Sequence, residues 1–248
     1  MKPAFVVALA CALSVPAGAQ KSPNDALLQL LDRSSAEPKE VRALLGRGAD
    51  PNAAPAAGGR SALMSAVSNG NLGAIRVLLA AGADANRRSN SETPLCSCIG
   101  SSFGLTPDMT LLLLEKRADP NLKCAQGDSP MRKALTYRDE DTVAILLNAG
   151  ARVDDMTEYG ETLLIAAARY GPARNVELLL KRGASVNAKD RYGNTALLVA
   201  KNTAIVALLI KAGADINARD EKGESVLAHH ERLNNTQIAA LLRQRGAR

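Results

Sequence analysis

Apolar runs and polar stretches alternate along the chain with a period of about 33 residues, a length typical of stacked repeats. A run such as "LLAAG" at 78–82 or "LLIKAG" at 208–213 ends in a glycine and is followed by polar residues. The successive turn positions are Gly48, Gly82, Arg117, Gly150, Gly183, Gly213 and Gly246. A second marker, a Ser or Thr directly before an apolar run, keeps the same period at Ser61, Thr93, Ser129, Thr162, Thr195 and Ser225. Two markers with one period indicate an internal repeat.

Each period predicts two helices joined by a short loop. The Ser or Thr is a helix N-cap, because its hydroxyl accepts a hydrogen bond from an amide that has no partner within the helix. The segment "NVELLLKRG" at 175–183 predicts a second helix, and its glycine suits the positive φ just past a helix end. The polar stretch "NAKDRYGN" at 187–194 predicts a hairpin finger. One helix pair cannot bury both of its faces, so we expect about seven units to stack into a solenoid.

Two departures from the period carry structural expectations. Arg117 stands at a turn-glycine position and costs roughly 1–2 kcal/mol if it adopts the left-handed conformation. The unit that begins at Thr195 is three residues short, so its first helix is expected to lose about one turn. We interpret residues 20–248 as a single domain, with an N-terminal cap unit at 22–56, central repeats at 57–220 and a C-terminal cap unit at 221–248.

Residues 1–19 have the pattern of a secretory signal peptide. Lys2 precedes an apolar run from Ala4 to Val15, and the small residues at 17–19 resemble a cleavage site. The run is too short to span a bilayer, and no later stretch predicts a membrane span. We therefore expect a mature protein that begins near Gln20 and resides in the periplasm, with secretion from the cell as the alternative.

The net charge and the few chemically reactive residues exclude several classes of function. The formal net charge of +6 becomes +5 without Lys2, and it is spread along the chain with no block of like charges, which argues against nucleic acid as a partner. The two histidines, His229 and His230, are adjacent, so on a helix they point in different directions and cannot share one metal ion. No Ser/His/Asp set, phosphate loop or zinc spacing occurs. The sequence therefore predicts no catalytic residue, metal or cofactor.

Several segments carry a resemblance to a known family. "TPLC" at 93–96 and "SPMR" at 129–132 stand where ankyrin repeats have TPLH, and "GADINARDEKGES" at 213–225 is similar to their turn and finger. The resemblance to the ankyrin-repeat family covers nearly all of the mature sequence. It implies an all-α repeat solenoid of helix–loop–helix units with short β-hairpin fingers. It also implies a concave face of fingers and first helices that binds proteins without catalysis.

The His of the family's motif is absent from every unit. Its positions hold Met64, Cys96, Arg132, Ile165, Leu198 and Ala228, so the hydrogen bonds that this His supplies between layers need a substitute. In the resembled fold, Cys96 faces the position of Cys124 in the next unit, which implies a disulfide between the two. Cys98 falls at a small buried helix position and is expected to stay a core thiol. Three unpaired thiols are the alternative.

The four tyrosines keep the repeat period. Tyr137 and Tyr170 are one repeat apart near the end of a first helix, and Tyr159 and Tyr192 are one repeat apart in fingers. Tyr and Arg are typical anchors of binding sites. The alternatives are that the helix pair packs together and that the finger pair braces neighbouring fingers. Our candidate partner-binding residues are Lys133, Thr136, Tyr137, Met156, Glu158, Tyr159, Arg169, Tyr170, Arg191 and Tyr192.

Three functions are compatible with these observations. The first is a periplasmic, non-catalytic protein-binding module, such as an immunity protein against an envelope-targeted toxin or a helper of an envelope enzyme. The second is a structural or assembly factor that associates with itself through its cap units. The third is an enzyme, for which the sequence displays no suitable set of residues. We expect a monomer that binds one partner protein.

Overall fold

A computed structural model describes residues 21–100, 106–157 and 159–248, so the segment assigned to the signal peptide, 1–19, lies outside the described residues. Within these ranges the chain forms thirteen helices and no sheet. In chain order the helices are α1 (Pro23–Leu31), α2 (Pro38–Gly46), α3 (Ala62–Ser68), α4 (Leu72–Ala80), α5 (Pro94–Cys98), α6 (Thr106–Glu115), α7 (Pro130–Thr136), α8 (Glu140–Asn148), α9 (Leu163–Tyr170), α10 (Ala173–Lys181), α11 (Thr203–Lys211), α12 (Val226–Arg232) and α13 (Thr236–Gln244).

The helices form two layers of a repeat solenoid. The units are numbered in chain order: α1 is the first helix of the first unit, α3 of the second, α5 of the third, α7 of the fourth, α9 of the fifth and α12 of the seventh, and the sixth unit begins at Thr195. The finger that precedes a first helix is counted with that helix's unit. Within a unit the two helices pack together, as α3 packs on α4 and α12 on α13. Between units, first helices pack on first helices (α3 on α5, α7 on α9), and second helices pack on second helices (α6 on α8, α8 on α10). One continuous apolar core runs between the layers from Leu27 to Leu242. The expected all-α solenoid of seven units is confirmed.

The N-caps predicted from the repeat are present in the structure. The hydroxyl of Ser61 accepts a hydrogen bond from the amide of Met64 at 3.3 Å, and that of Thr93 accepts one from Cys96 at 3.1 Å. The same bond is made by the hydroxyls of Ser129, Thr162, Thr195 and Ser225. These caps are buried or half-buried, so each satisfies an amide that water reaches poorly.

The turn after each second helix has the left-handed conformation in every unit. Arg117 adopts φ +66° where the other units have glycine, so the chain accepts the cost of a side chain there. A recurring Asn four residues further on links neighbouring turns. Asn86, for example, donates to the carbonyl of Arg117 at 2.9 Å and accepts from the amide of Asp119 at 2.8 Å.

The sixth unit departs furthest from the repeat. Residues 196–199 form a turn instead of an α-helix, so the expected shortening removes the first α-helix altogether. Thr195 still caps the amide of Leu198, but the next cap, Asn202, follows too soon for a helix to form. His230 of the last unit reaches back and places its Nε2 3.3 Å from the carbonyl oxygen of Leu197.

The fingers are tight turns closed by isolated β-bridges. Bridges join Ser89 to Glu92, Met156 to Thr162 and Arg219 to Ser225, and no longer strand forms in the described ranges. Neighbouring fingers contact each other through their backbones, as Arg191 does with Tyr159. None of the helices in the described part of the chain has the length and apolar character needed to cross a membrane.

Candidate protein-binding site

All four tyrosines of the chain are about half exposed. The exposed fractions are 56% for Tyr137, 49% for Tyr159, 55% for Tyr170 and 58% for Tyr192, and Met156 is 56% exposed. Large side chains exposed together on one surface are a mark of interaction sites. We call the surface formed by Lys133, Thr136, Tyr137, Met156, Tyr159, Arg169, Tyr170, Arg191 and Tyr192 the finger face. The remaining candidate, Glu158, lies outside the described residues.

Two clefts flank the finger at residues 123–128. A cleft of about 260 Å³ is lined by Lys133, Thr136 and Tyr137 from α7 and its C-cap. On the other side, a cleft of about 390 Å³ is lined by Met156 and Tyr159. Gln126 and Asp128 of the finger line both clefts. The structure therefore brings five of the candidate residues together around one finger.

Tyr137 is held in place by a glycine of the preceding unit. A Cβ built on Gly100 would lie 2.3 Å from a ring carbon of Tyr137, so the ring packs directly on the glycine backbone. The ring is thereby in contact with the preceding unit, while more than half of the residue's surface stays exposed. This contact with a glycine differs from the alternative considered from the sequence, in which Tyr137 and Tyr170 pack on each other.

Charged side chains link the fourth and fifth units beneath the tyrosines. Arg132, at the family's His position, is buried and donates to the Glu161 carboxylate at 3.1 Å and to the Glu161 carbonyl oxygen at 2.5 Å. Arg169 places its Nε 3.3 Å from the other Glu161 carboxylate oxygen and its guanidinium carbon 5.8 Å from the ring centre of Tyr170. Arg169 therefore positions Tyr170 and is less available to a partner than expected.

The finger tyrosines brace neighbouring fingers through their backbones, which is one of the two roles considered from the sequence. Tyr159 accepts a backbone hydrogen bond from Arg191 at 2.9 Å, and Tyr192 accepts one from Glu221 at 3.0 Å, so both residues brace the next finger. The Arg191 guanidinium lies 5.1 Å from the ring centre of Tyr159, a cation–π contact. Bracing is done by the backbone carbonyls, and both side chains stay about half exposed.

An ion pair fixes the base of the larger cleft. Lys123 donates to the Asp155 carboxylate across the fourth and fifth units. Burial alone would raise the pKa of Asp155, but hydrogen bonds from Lys123 and Ser129 lower it below its ordinary value. Asp155 therefore stays ionised and holds the finger that separates the two clefts.

The third and fourth units are joined covalently. Cys96 and Cys124 form a disulfide, with their Cα atoms 5.6 Å apart, which is the pairing implied by the family positions. Cys98 is a buried thiol outside the disulfide, and its Sγ lies 3.1 Å from the carbonyl oxygen of Leu95. Burial raises the pKa of Cys98 to about 12, so the thiol stays protonated at neutral pH, as expected of a core thiol.

Leu233 extends the exposed apolar row and was missed from the sequence. It is 49% exposed and stands in the same register before Gly246 as Tyr137 before Gly150 and Tyr170 before Gly183. The repeat register was the signal that identifies it. In the second unit the same register position holds Asn69, which donates to the carbonyl oxygen of Leu31 at 2.7 Å and is occupied within the solenoid.

Comparison with known proteins agrees with this architecture. The family model for ankyrin repeats matches three times, at residues 33–124, 98–190 and 132–220. The chain belongs to the ankyrin-repeat family. Among curated proteins, this ankyrin-repeat protein is 32% identical over 130 residues to the E3 ubiquitin-protein ligase KEG of Arabidopsis thaliana. That match covers 50% of the chain but 8% of the ligase, so the chain spans a small part of that relative's length.

Solved structures match over more of their length. An ankyrin repeat domain from Acinetobacter baumannii AYE, ABAYE2397, is 31% identical with a TM-score of 0.67, covering 75% of this chain and 98% of its own. A chain from the complex of the Bdellovibrio bacteriovorus predatory endopeptidase Bd0816 with the immunity protein Bd3460 is 28% identical with a TM-score of 0.65 at the same coverage. The ankyrin repeat protein EF0377 is 25% identical with a TM-score of 0.65, covering 73% of this chain and 96% of its own.

These matches indicate a general function. Ankyrin repeats imply protein–protein interaction, and the repeat domains that this chain resembles are typically non-catalytic binding modules. The comparisons indicate no enzymatic family for the repeats.

Proposed function

We propose that this ankyrin-repeat protein is a periplasmic, non-catalytic protein that holds one partner protein on the finger face. The observation that carries the proposal is the half exposure of every tyrosine in a chain with only 2% aromatic residues. Tyr and Arg side chains are enriched among the residues that dominate binding energy, and Tyr buries a large area with little loss of side-chain freedom. The two clefts beside residues 123–128 offer places where partner side chains insert.

The specific role that we propose is immunity against a toxin delivered to the cell envelope. The similarity to a chain from a complex of an endopeptidase with an immunity protein supports this role. The signal-peptide pattern at 1–19 supports the compartment, because an envelope toxin must be met outside the cytoplasm. In this role the finger face covers the toxin, and the solenoid itself performs no chemistry.

The binding site is tested by single substitutions on the finger face. The purified mature protein captures its partner from a periplasmic extract, and the affinity for that isolated partner is then measured by calorimetry. We expect Tyr137→Ala and Tyr170→Ala each to weaken binding by roughly tenfold or more. Leu111→Ala is the matched control, since Leu111 is 47% exposed on the second-helix layer, away from the finger face. Tyrosine variants that keep full affinity but unfold more easily would show that the row is structural.

The compartment and the immunity role need separate tests. Amino-terminal sequencing of the exported protein should find a first residue near Gln20, and an intact Met1 in a cytoplasmic fraction would refute the periplasmic assignment.

For immunity, the captured partner is directed to the periplasm of cells that lack this protein. Growth should stop and be restored by the wild-type gene but not by a Tyr137→Ala/Tyr170→Ala variant. Normal growth without the gene would favour a helper role instead.

A further inference from the structure

A groove of about 610 Å³ lies between α2 and α4, on the second-helix layer and away from the finger face. Its walls are mostly aliphatic, with Leu45 on one helix and Val77 and Ala80 on the other. Pro38 closes one end, because a Cβ built on Gly73 would lie 2.6 Å from the proline ring and the two helices approach closely there. A recess of this size with apolar walls is typical of a site for a small molecule.

The groove is open because a small residue holds a position that carries a long side chain elsewhere in the repeat. Ala81 directly precedes the turn glycine of the second unit, and Arg182 holds the same place in the fifth unit. The Arg182 guanidinium donates to the carbonyl oxygen of Leu147 and, at 2.6 Å, to the side-chain oxygen of Asn148, so it lies across the space between α10 and α8. The methyl group of Ala81 is too short to cover the matching space between α4 and α2, which stays accessible to a ligand.

Two uncompensated arginines line this groove. Arg42 of α2 and Arg76 of α4 each stand six residues before the turn glycine of their unit, so they hold equivalent places in neighbouring helices. Both are exposed, and neither guanidinium has a hydrogen bond or an ion pair with any described residue.

The surroundings of the two arginines provide no negative charge. Among the residues that the structure describes, no Asp or Glu lines the groove. Elsewhere on the same layer an arginine is paired across helices, since Arg174 of α10 lies 3.7 Å from the carboxylate of Glu140 on α8. The groove therefore combines an apolar wall with positive charge that an anionic group would neutralise.

We propose that this groove binds an amphiphilic anion, a single aliphatic chain that ends in a carboxylate. The chain packs on Leu45, Val77 and Ala80, and the carboxylate lies against the guanidinium groups of Arg42 and Arg76. Arginine suits this task because its planar guanidinium donates two parallel hydrogen bonds to one carboxylate. A single chain fits better than a membrane surface, because the apolar wall is a recess between two helices and does not protrude.

The test uses the mature protein and dodecanoate below its micelle concentration, with the affinity measured by isothermal titration calorimetry. We expect one molecule bound per protein. Octanoate should bind roughly tenfold more weakly or worse, because each buried methylene group adds to the transfer free energy. Dodecyltrimethylammonium, which has the same chain and a positive head, should not bind. A wild-type protein that does not bind dodecanoate, or that binds the cationic amphiphile equally well, would overturn the proposal.

Matched variants locate the ligand. Ala80→Glu introduces the residue that the third unit has at the same place, Glu115, and should abolish binding, because its carboxylate fills the groove and neutralises the arginines. Arg42→Gln and Arg76→Gln should each weaken binding by about tenfold. Arg174→Gln, on the same layer but outside the groove, should leave the affinity unchanged. Unchanged affinity in Ala80→Glu, or an equal loss in Arg174→Gln, would place the ligand elsewhere and contradict the proposal.

Vesicles of phosphatidylglycerol distinguish a membrane surface from a single chain. The protein should remain in the supernatant when these vesicles are sedimented. Sedimentation with the vesicles that Ala80→Glu abolishes would show that the groove docks on a membrane, which overturns the proposal of a single-chain ligand.

Discussion

Removing the disulfide between Cys96 and Cys124 should lower the free energy of unfolding by about 3.6 kcal/mol at 25 °C. The two residues are 28 positions apart, and closing a loop of that length removes about 12 cal/mol/K of entropy from the unfolded chain. The double variant Cys96→Ala/Cys124→Ala removes the bond without leaving thiols at either place. The loss is expected mainly in the third and fourth units, because a solenoid transmits stability only between neighbours.

The assay is urea unfolding followed by circular dichroism. The oxidised wild type is compared with the reduced wild type and with the double variant, which serves as the control because reductant should not change it. Thiol titration of the unfolded, oxidised mature protein should find one thiol, that of Cys98. A titration that finds three thiols, or a loss below about 1 kcal/mol on reduction, would refute the reasoning.

Three further predictions concern stability. Arg117→Gly should raise the free energy of unfolding by about 1 kcal/mol, because Arg117 has φ +66°; an unchanged urea midpoint would contradict this. Asn175→Leu should raise the free energy of unfolding by about 1–3 kcal/mol, because Asn175 is fully buried and neither of its side-chain polar atoms has a partner among the described residues. A lower urea midpoint would show that the Asn175 amide is hydrogen-bonded in solution. Burial lowers the pKa of His230 below 6.5, so the unfolded chain binds a proton more readily than the folded protein and the free energy of unfolding should fall as the pH drops below 6.5. In urea unfolding above about pH 5, the His230→Gln variant should lose this decrease in stability.

The fold was predictable because local signals repeat. Five of the six Ser or Thr caps begin an α-helix, and the six turn glycines follow the ends of second helices, so local chemistry alone placed both layers. The shortened sixth unit was also predicted, although the chain loses its whole first α-helix there and not one turn. The caps Thr195 and Asn202 follow each other too closely to leave room for a helix and its exit turn.

The site was only partly predictable because it depends on distances across units. The period identified Tyr137 and Tyr170, and both are exposed. It gave no sign that Arg132 would reach Glu161 and replace the missing family His, since a long side chain can point in many directions. Nor did it show that Arg169 would lie against Glu161 beneath the tyrosines. Contacts of this kind follow from the stacking of units, which a one-dimensional pattern does not contain.

The turn at residues 196–199 interrupts the layer of first helices. On one side, Tyr170 ends the helix α9, and on the other, Leu233 follows the helix α12. No first helix stands between them in the described structure. Ala196, Leu197 and Leu198 are nevertheless buried, and the last unit packs on the sixth through α11, the contact of His230 with Leu197 and the backbone bond from Glu221 to Tyr192. The stability of a solenoid is approximately the sum of terms for each unit and for each interface between neighbours, so a missing helix reduces the interface term at that place. If the partner contacts both Tyr170 and Leu233, as the proposed finger-face site and its apolar row would allow, we expect its binding to strengthen the coupling between the fifth and seventh units.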